Sequence, residues 1–134
     1  MSDTADGAAA VQAGHRPAIP LDSVLTGTCS ISQTGETALT LAGELDAASA
    51  DQAYRYVRDA IDTHGGPVTL DVAGLSFCDA RGLDALVRMS RYAEQAGSSL
   101  QLVAPSPRLV KLMRITGLDQ ELPVHREKRT GEVT

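Results

Sequence analysis

A single α/β domain, built on a mixed β-sheet with helices mainly on one face, is the fold class this sequence predicts. Three observations lead there. After an opening hairpin, segments of period-two apolar patterning alternate with segments of helical period, and that order implies a sheet with crossover helices. The chain has 134 residues, a length suited to one domain. Of its 30 Leu, Ile, Val and Phe residues, 24 fall within 29–124, so the core belongs to that span. Aromatics are 3% and Trp is absent, so the core is aliphatic.

Residues 1–28 are rich in Ala, Gly, Thr and Asp without a sustained period, and are expected to form a disordered arm. Cys29 to Gln33 is a short strand candidate. Gly35 and Glu36 form a turn, and Thr37 to Gly43 alternates with Leu39 and Leu41 on one face, which completes a hairpin. Ala47 to His64 is helical: Ala50, Ala53, Tyr54, Val57, Ala60 and Ile61 recur at three and four. Gly65-Gly66-Pro67 stops it. Val68, Leu70 and Val72 alternate as a strand. Asp79 is placed to cap the next helix, which runs to about Ala96 and buries Leu83, Leu86, Val87 and Ala93. Gly97 closes it. Ser99 to Val103 is another strand. Pro105-Ser106-Pro107 opens a short helix ended by Gly117, and Glu121 to Val124 is a last short strand. Residues 125–134 are a charged tail. The expected order is β-β-α-β-α-β-α-β, with the domain at 29–124.

Composition narrows the function classes. The net charge of -5 argues against a nonspecific nucleic-acid binder, which needs a basic surface to displace counterions. No apolar run approaches the ~18 residues of a membrane span. Acids stand in MSDTADGAAAVQ where a signal peptide needs bases, and two cysteines, Cys29 and Cys78, form neither a metal-spaced set nor a disulfide framework. A reducing, cytoplasmic setting is the expectation. His15, His64 and His125 lie in the arm, at a helix end and at the tail, without partners in the sequence that suggest a base or a metal ligand. No glycine-rich phosphate cradle is present. Neither enzyme activity nor a cofactor nor a metal is expected.

Two segments stand out. Gly43-Glu44-Leu45-Asp46 ends a strand and begins a helix, where Asp46 is either a helix cap or a contact residue. Leu75-Ser76-Phe77-Cys78-Asp79-Ala80-Arg81-Gly82-Leu83 leaves a strand and enters a helix. Capping accounts for Asp79 but not for its neighbours. A cation in the first turn, Arg81, opposes the helix dipole, and a glycine there, Gly82, costs up to ~1 kcal/mol against Ala. Such misfits are expected where a surface serves a partner.

At these residues the chain resembles the STAS domain of anti-sigma factor antagonists. GELD before a helix, then a strand, then FxDxxGL at a helix start follow one another in the family's order over about 29–124. The resemblance implies a regulatory binding protein whose partner is an anti-sigma factor that is also a serine kinase with a GHKL-type ATP site. Binding releases a sigma factor, and phosphorylation of a Ser or Thr just after the FxD aspartate reverses it. Here Ala80 stands at that acceptor position, with no oxygen to receive a phosphoryl group. Asp46 and Asp79 match the family's acidic positions, so the surface can persist without the switch. The alternative is a STAS scaffold or small-ligand-binding module that meets no anti-sigma factor.

The contact residues expected from this reading are Asp46, Cys78, Asp79, Ala80, Arg81, Gly82, Ala85 and Met89. The last two belong to a stripe on the second helix, Ala85, Met89, Tyr92 and Ala96, that serves either the core or a partner. Residues 29–80 carry 8 acids and 2 bases, whereas 81–114 carry 6 bases and 2 acids, a polarity suited to steering a partner of complementary charge. Cys78, next to Asp79, is a further candidate for redox control of the same loop, against the plainer role of a small buried residue.

Overall fold

The computed structural model describes residues 19–22 and 24–124. Five strands form one sheet in chain order: β1 (Ile19–Asp22), β2 (Leu25–Ile31), β3 (Thr37–Leu45), β4 (Pro67–Cys78) and β5 (Ser99–Val103). The first three run antiparallel, while β3–β4 and β4–β5 are parallel. The parallel pairs are joined by α1 (Ala50–His64) and α2 (Ala80–Gln95), and α3 (Pro107–Thr116) follows β5. This is the mixed sheet with crossover helices that the sequence predicts.

One side chain from each of four strands explains the layering. Pairing aligns Cys29, Leu39, Leu70 and Leu102 across four strands, and all four are buried. Successive residues of a strand face opposite sides, so this row defines the covered face. On the other face Ser30, Thr40 and Asp71 are half-buried and Gln101 is exposed. Helices α1 and α2 supply Ala53, Val57, Ile61, Leu83, Leu86 and Ala93 to the same core cluster. The helices thus lie on one side, and the open side carries the polar residues.

Local chemistry fixes the ends. The Ser32 hydroxyl accepts the amides of Thr34 (3.2 Å) and Glu36 (3.1 Å), and Gly35 takes a positive φ of 89°, which closes the β2–β3 turn. The Ser106 hydroxyl accepts the Leu109 amide at 3.1 Å, Pro107 opens α3, and Gly117 ends it in the left-handed conformation.

The structure departs from the expected outline at both edges of the domain. Residues 19–22 and 25–28, expected to belong to a disordered arm, lie in β1 and β2. Leu25 is fully buried and pairs with Gly43, so the core reaches further toward the N-terminus than the apolar density suggests. Residues 1–18 and the tail 125–134 lie outside the described residues. At the other edge, Glu121–Val124 is not a strand. Leu118–Gln120 forms a 3₁₀ turn, and only an isolated bridge joins Val124 to Leu102. The Pro123 carbonyl accepts the Leu102 amide at 2.9 Å, but proline has no N–H with which to extend a ladder.

Candidate functional site

The site is the edge of the sheet where β3 and β4 end. These strands are parallel and in register at Leu45–Cys78, so the two segments that leave them emerge side by side. One begins with Asp46 and the other with Asp79, and the Asp79 amide donates to the Leu45 carbonyl at 3.4 Å. Two irregularities in the β3–β4 register, at Thr40–Ala42 and Gly43–Glu44, let residues 68–78 of β4 run beside the nine of β3 and bring both strands to that edge together.

Asp46 organises its own loop. Its Oδ1 accepts the amides of Ala48 (3.0 Å) and Ser49 (3.1 Å) and the Ser49 hydroxyl (3.2 Å). Ser49 is fully buried and accepts the Asp46 amide in return at 3.0 Å. Asp46 thus closes the turn that leads into α1 and is not its cap: Ser49 stands at the N-cap position, and α1 starts at Ala50. Ala47 and Ala48, exposed at the tip of this turn, were not singled out by any sequence pattern.

Asp79 caps α2 as its position implies: its Oδ1 accepts the Gly82 amide at 2.9 Å. Caps of this kind contribute ~1 kcal/mol. Ala80 and Arg81 are exposed on the first turn of α2, and among the described residues the Arg81 side chain makes neither hydrogen bond nor ion pair. Phe77, the chain's only phenylalanine, is 46% exposed on the same edge.

Three expected contact residues are internal. Gly82 is buried because the first turn of α2 lies against β3: a Cβ there would run into the Leu45 carbonyl oxygen and stand 3.0 Å from its carbon. Its glycine is a packing requirement, which removes one of the two misfits attributed to a partner. Ala85 and Met89 are both 0% exposed. Helix α2 packs on the sheet and also on α1, so its apolar stripe is wider than one buried face. Tyr92 belongs to that inter-helix seam. It meets the Tyr54 ring edge-on at 6.3 Å and donates to Asp62 at 2.5 Å, a bond that raises its pKa above 10.0.

The charge division is partly consumed inside the molecule. Arg88 reaches Asp51 and Asp84 at 3.5 and 3.4 Å, and Arg91 pairs with Glu121 at 2.8 Å. Arg81, Arg108, Lys111 and Arg114 are exposed and take no part in these pairs.

Cys78 is half-buried, and burial, with a smaller contribution from the Asp79 charge, pushes its thiol up from 9.0 to about 12. A thiol so held is neutral at physiological pH, and only the thiolate attacks or is readily oxidised. Alkylation of Cys78 by iodoacetamide at pH 8 is therefore expected to be slower than in urea-unfolded protein by about two orders of magnitude or more. Equal rates would contradict this burial, and with it the case against redox control of the loop.

A family model described as "Mlab, STAS domain" matches residues 29–124. The chain belongs to the STAS domain family. Solved structures agree at the level of fold. An anti-sigma factor antagonist from Mycobacterium paratuberculosis superposes with TM-score 0.67 at 18% identity, covering 83% of this chain and 92% of that one. SpoIIAA, an anti-sigma factor antagonist, in its unphosphorylated form gives 0.61 at 22% identity, covering 75% and 89%. The murine anion transporter Slc26a9 gives 0.56 at 22% identity, covering 68% of this STAS chain but only 15% of the transporter. No curated protein matches the chain. Among the described residues no helix is long and apolar enough to cross a membrane.

Proposed function

We propose that this STAS protein is a regulatory binding protein of the anti-sigma factor antagonist kind, which binds an anti-sigma factor of the GHKL-type serine kinase class and releases a sigma factor. The contact surface is the β3–β4 edge: the Asp46 turn, Cys78, Asp79, Ala80 and Arg81. Gly82 positions that surface from beneath, while Ala85 and Met89 support it from the core. The observation that carries the reading is the side-by-side exit of the two aspartate-led segments from paired parallel strands, with Ala80 and Arg81 exposed between them and solvent. Structural similarity to two anti-sigma factor antagonists supports it.

Phosphorylation does not reverse this binding. Ala80 offers a methyl group where the relatives' acceptor hydroxyl belongs. The nearby hydroxyls do not replace it: Ser90 is 2% exposed inside α2, and the Ser76 hydroxyl donates to the Gly43 carbonyl at 3.2 Å, on a strand rather than on the helix start. Affinity purification from the native cell, with and without ATP, is expected to recover a GHKL-type protein in both conditions. Phosphopeptide mapping after incubation with that protein and ATP is expected to find no phosphate on residues 76–90. Recovery of no such protein removes the partner assignment, and efficient modification of Ser76 or Ser90 removes the absence of a switch.

Arg81 carries the electrostatic part of the contact. Its cation stands at the positive end of α2, an arrangement that costs a few tenths of a kcal/mol in the free protein. An anionic partner group opposite it reverses the sign. Arg81→Ala is expected to leave folding stability unchanged or slightly raised, and to weaken partner binding by ~1–3 kcal/mol in calorimetry at low salt. The difference should shrink at high salt, because the group is exposed. Gln101→Ala, on the open face of β5, serves as control. Binding by Arg81→Ala as tight as the parent's would mark an ordinary surface arginine.

A further inference from the structure

Beside the partner edge, and sharing Cys78 with it, the C-terminal half of β4 and helix α3 enclose a cleft of about 400 Å³. Its size lies within the usual range for small-molecule sites, ~300–1,000 Å³. Its place is also the customary one: in open α/β sheets ligands settle outside the carboxyl ends of parallel strands, and this cleft opens where β4 ends and where the loop after β5 leads into α3.

The lining divides in two. Leu75, Phe77, Leu109, Leu112 and Ile115 supply apolar surface. Phe77 and Ile115 are 46% and 71% exposed, two of the four large hydrophobic residues left exposed among the described residues, and the cleft brings them together from 38 positions apart in the chain. Apolar side chains gathered around a concavity mark a surface that something covers. The polar lining is Ser76, Cys78, Ser106, Arg108 and Lys111, with two cations and no carboxylate. Both cations are exposed, and neither appears in an ion pair among the described residues. The first turn of α3, which begins at Pro107, adds the positive end of a ten-residue helix on the same side. An apolar ligand without charge would leave these cations without a counter-charge, and a small inorganic anion would leave the apolar floor bare.

We propose that this cleft binds an amphiphilic anion, a single apolar chain with one carboxylate-like head, whose head lies between Arg108 and Lys111 and whose chain covers Leu75, Phe77, Leu112 and Ile115. The site does not depend on the anti-sigma factor assignment, because none of its cations belongs to the partner edge.

Decanoate is the probe, titrated into the full-length protein by calorimetry and followed by amide chemical shifts. One-to-one binding is expected, with a Kd on the order of 100 µM for a ligand of this size. Shift changes are expected on residues 75–78 and 106–115. Acetate, which has the head alone, and decanol, which has the chain alone, are each expected to bind at least about tenfold more weakly. The double variant Arg108→Glu/Lys111→Glu changes only exposed side chains, keeps the parent's thermal midpoint to within the few degrees of a surface change, and is expected to lose decanoate by at least about tenfold. Absence of saturable decanoate binding overturns the proposal. So does binding that survives the double charge reversal, or shift changes confined to the open face of the sheet. A complex in which a protein partner fills the cleft, with decanoate unable to compete, overturns it in favour of a macromolecular occupant.

Discussion

Gly43→Ala is expected to destabilise the domain by about 3 kcal/mol or more. Two costs fall on one methyl group. Gly43 holds φ at 114°, a conformation that side chains with a Cβ rarely adopt. The added Cβ would also run into the Val24 carbonyl oxygen, with the Val24 carbon at 2.9 Å and the Leu25 Cα at 3.1 Å. All three are backbone atoms, so no rotamer change relieves the contact. Moving the Val24 carbonyl away is costly too, because it accepts the Glu44 amide at 2.8 Å and stands where β2 enters the sheet beside buried Leu25. Urea unfolding should show a lower midpoint with an unchanged slope. Gly35→Ala separates the two costs: φ is 89° there, but open space surrounds the Cβ position, leaving only the conformational penalty of ~1–2 kcal/mol. If Gly43→Ala costs no more than Gly35→Ala, the close approach of β2 to β3 at this point is wrong.

What the sequence makes legible is what local chemistry decides. The periodic apolar residues of α1 and α2, the Asp79 cap, the Ser106-Pro107 start and the Gly117 stop all act within a turn or two, and each lies where its residue type predicts. Strand β1 escapes because it has four residues and includes Pro20, and a proline in a strand is an edge feature that period-two patterning discounts. Ala85 and Met89 were open between core and partner because spacing alone gives the width of an apolar stripe, not the number of elements it packs against. The cleft is invisible in sequence for the same reason: Phe77 and Ile115 are ordinary apolar residues until the fold brings α3 beside β4.

The two residues read together as misfits, Arg81 and Gly82, now separate. Arg81 remains exposed, with no side-chain partner among the described residues, so the local argument about its charge stands. Gly82 looked anomalous only because helix propensity is a property of the helix, whereas its cause lies across the chain at the Leu45 carbonyl. Burial of a glycine in a first helical turn is therefore a statement about what the helix rests on.

Gly82→Ala tests that statement where local and tertiary rules give opposite signs. By propensity alone the substitution should stabilise α2 by up to ~1 kcal/mol. By packing it forces the first turn of α2 off β3, because the obstructing atoms are the backbone oxygen and carbon of Leu45 and, behind them, the Leu45 side chain at 3.0 Å, itself fully buried. The displacement loosens the Asp79 cap, worth ~1 kcal/mol, and the packing of Leu83, and overpacking of this kind costs ~1–3 kcal/mol. The net expectation is destabilisation by about 2 kcal/mol, read as a lower urea midpoint. Function should suffer beyond stability. Ala80 and Arg81 ride on the turn that moves, while the Asp46 loop stays with β3, so the two halves of the proposed contact surface fall out of alignment. Partner affinity measured well below the variant's melting temperature, where it is fully folded, should therefore drop by at least as much as in Arg81→Ala. A Gly82→Ala protein that is more stable than the parent would show that α2 does not rest on Leu45, and one that is less stable yet binds its partner undiminished would show that the alignment of the two segments is not what the partner reads.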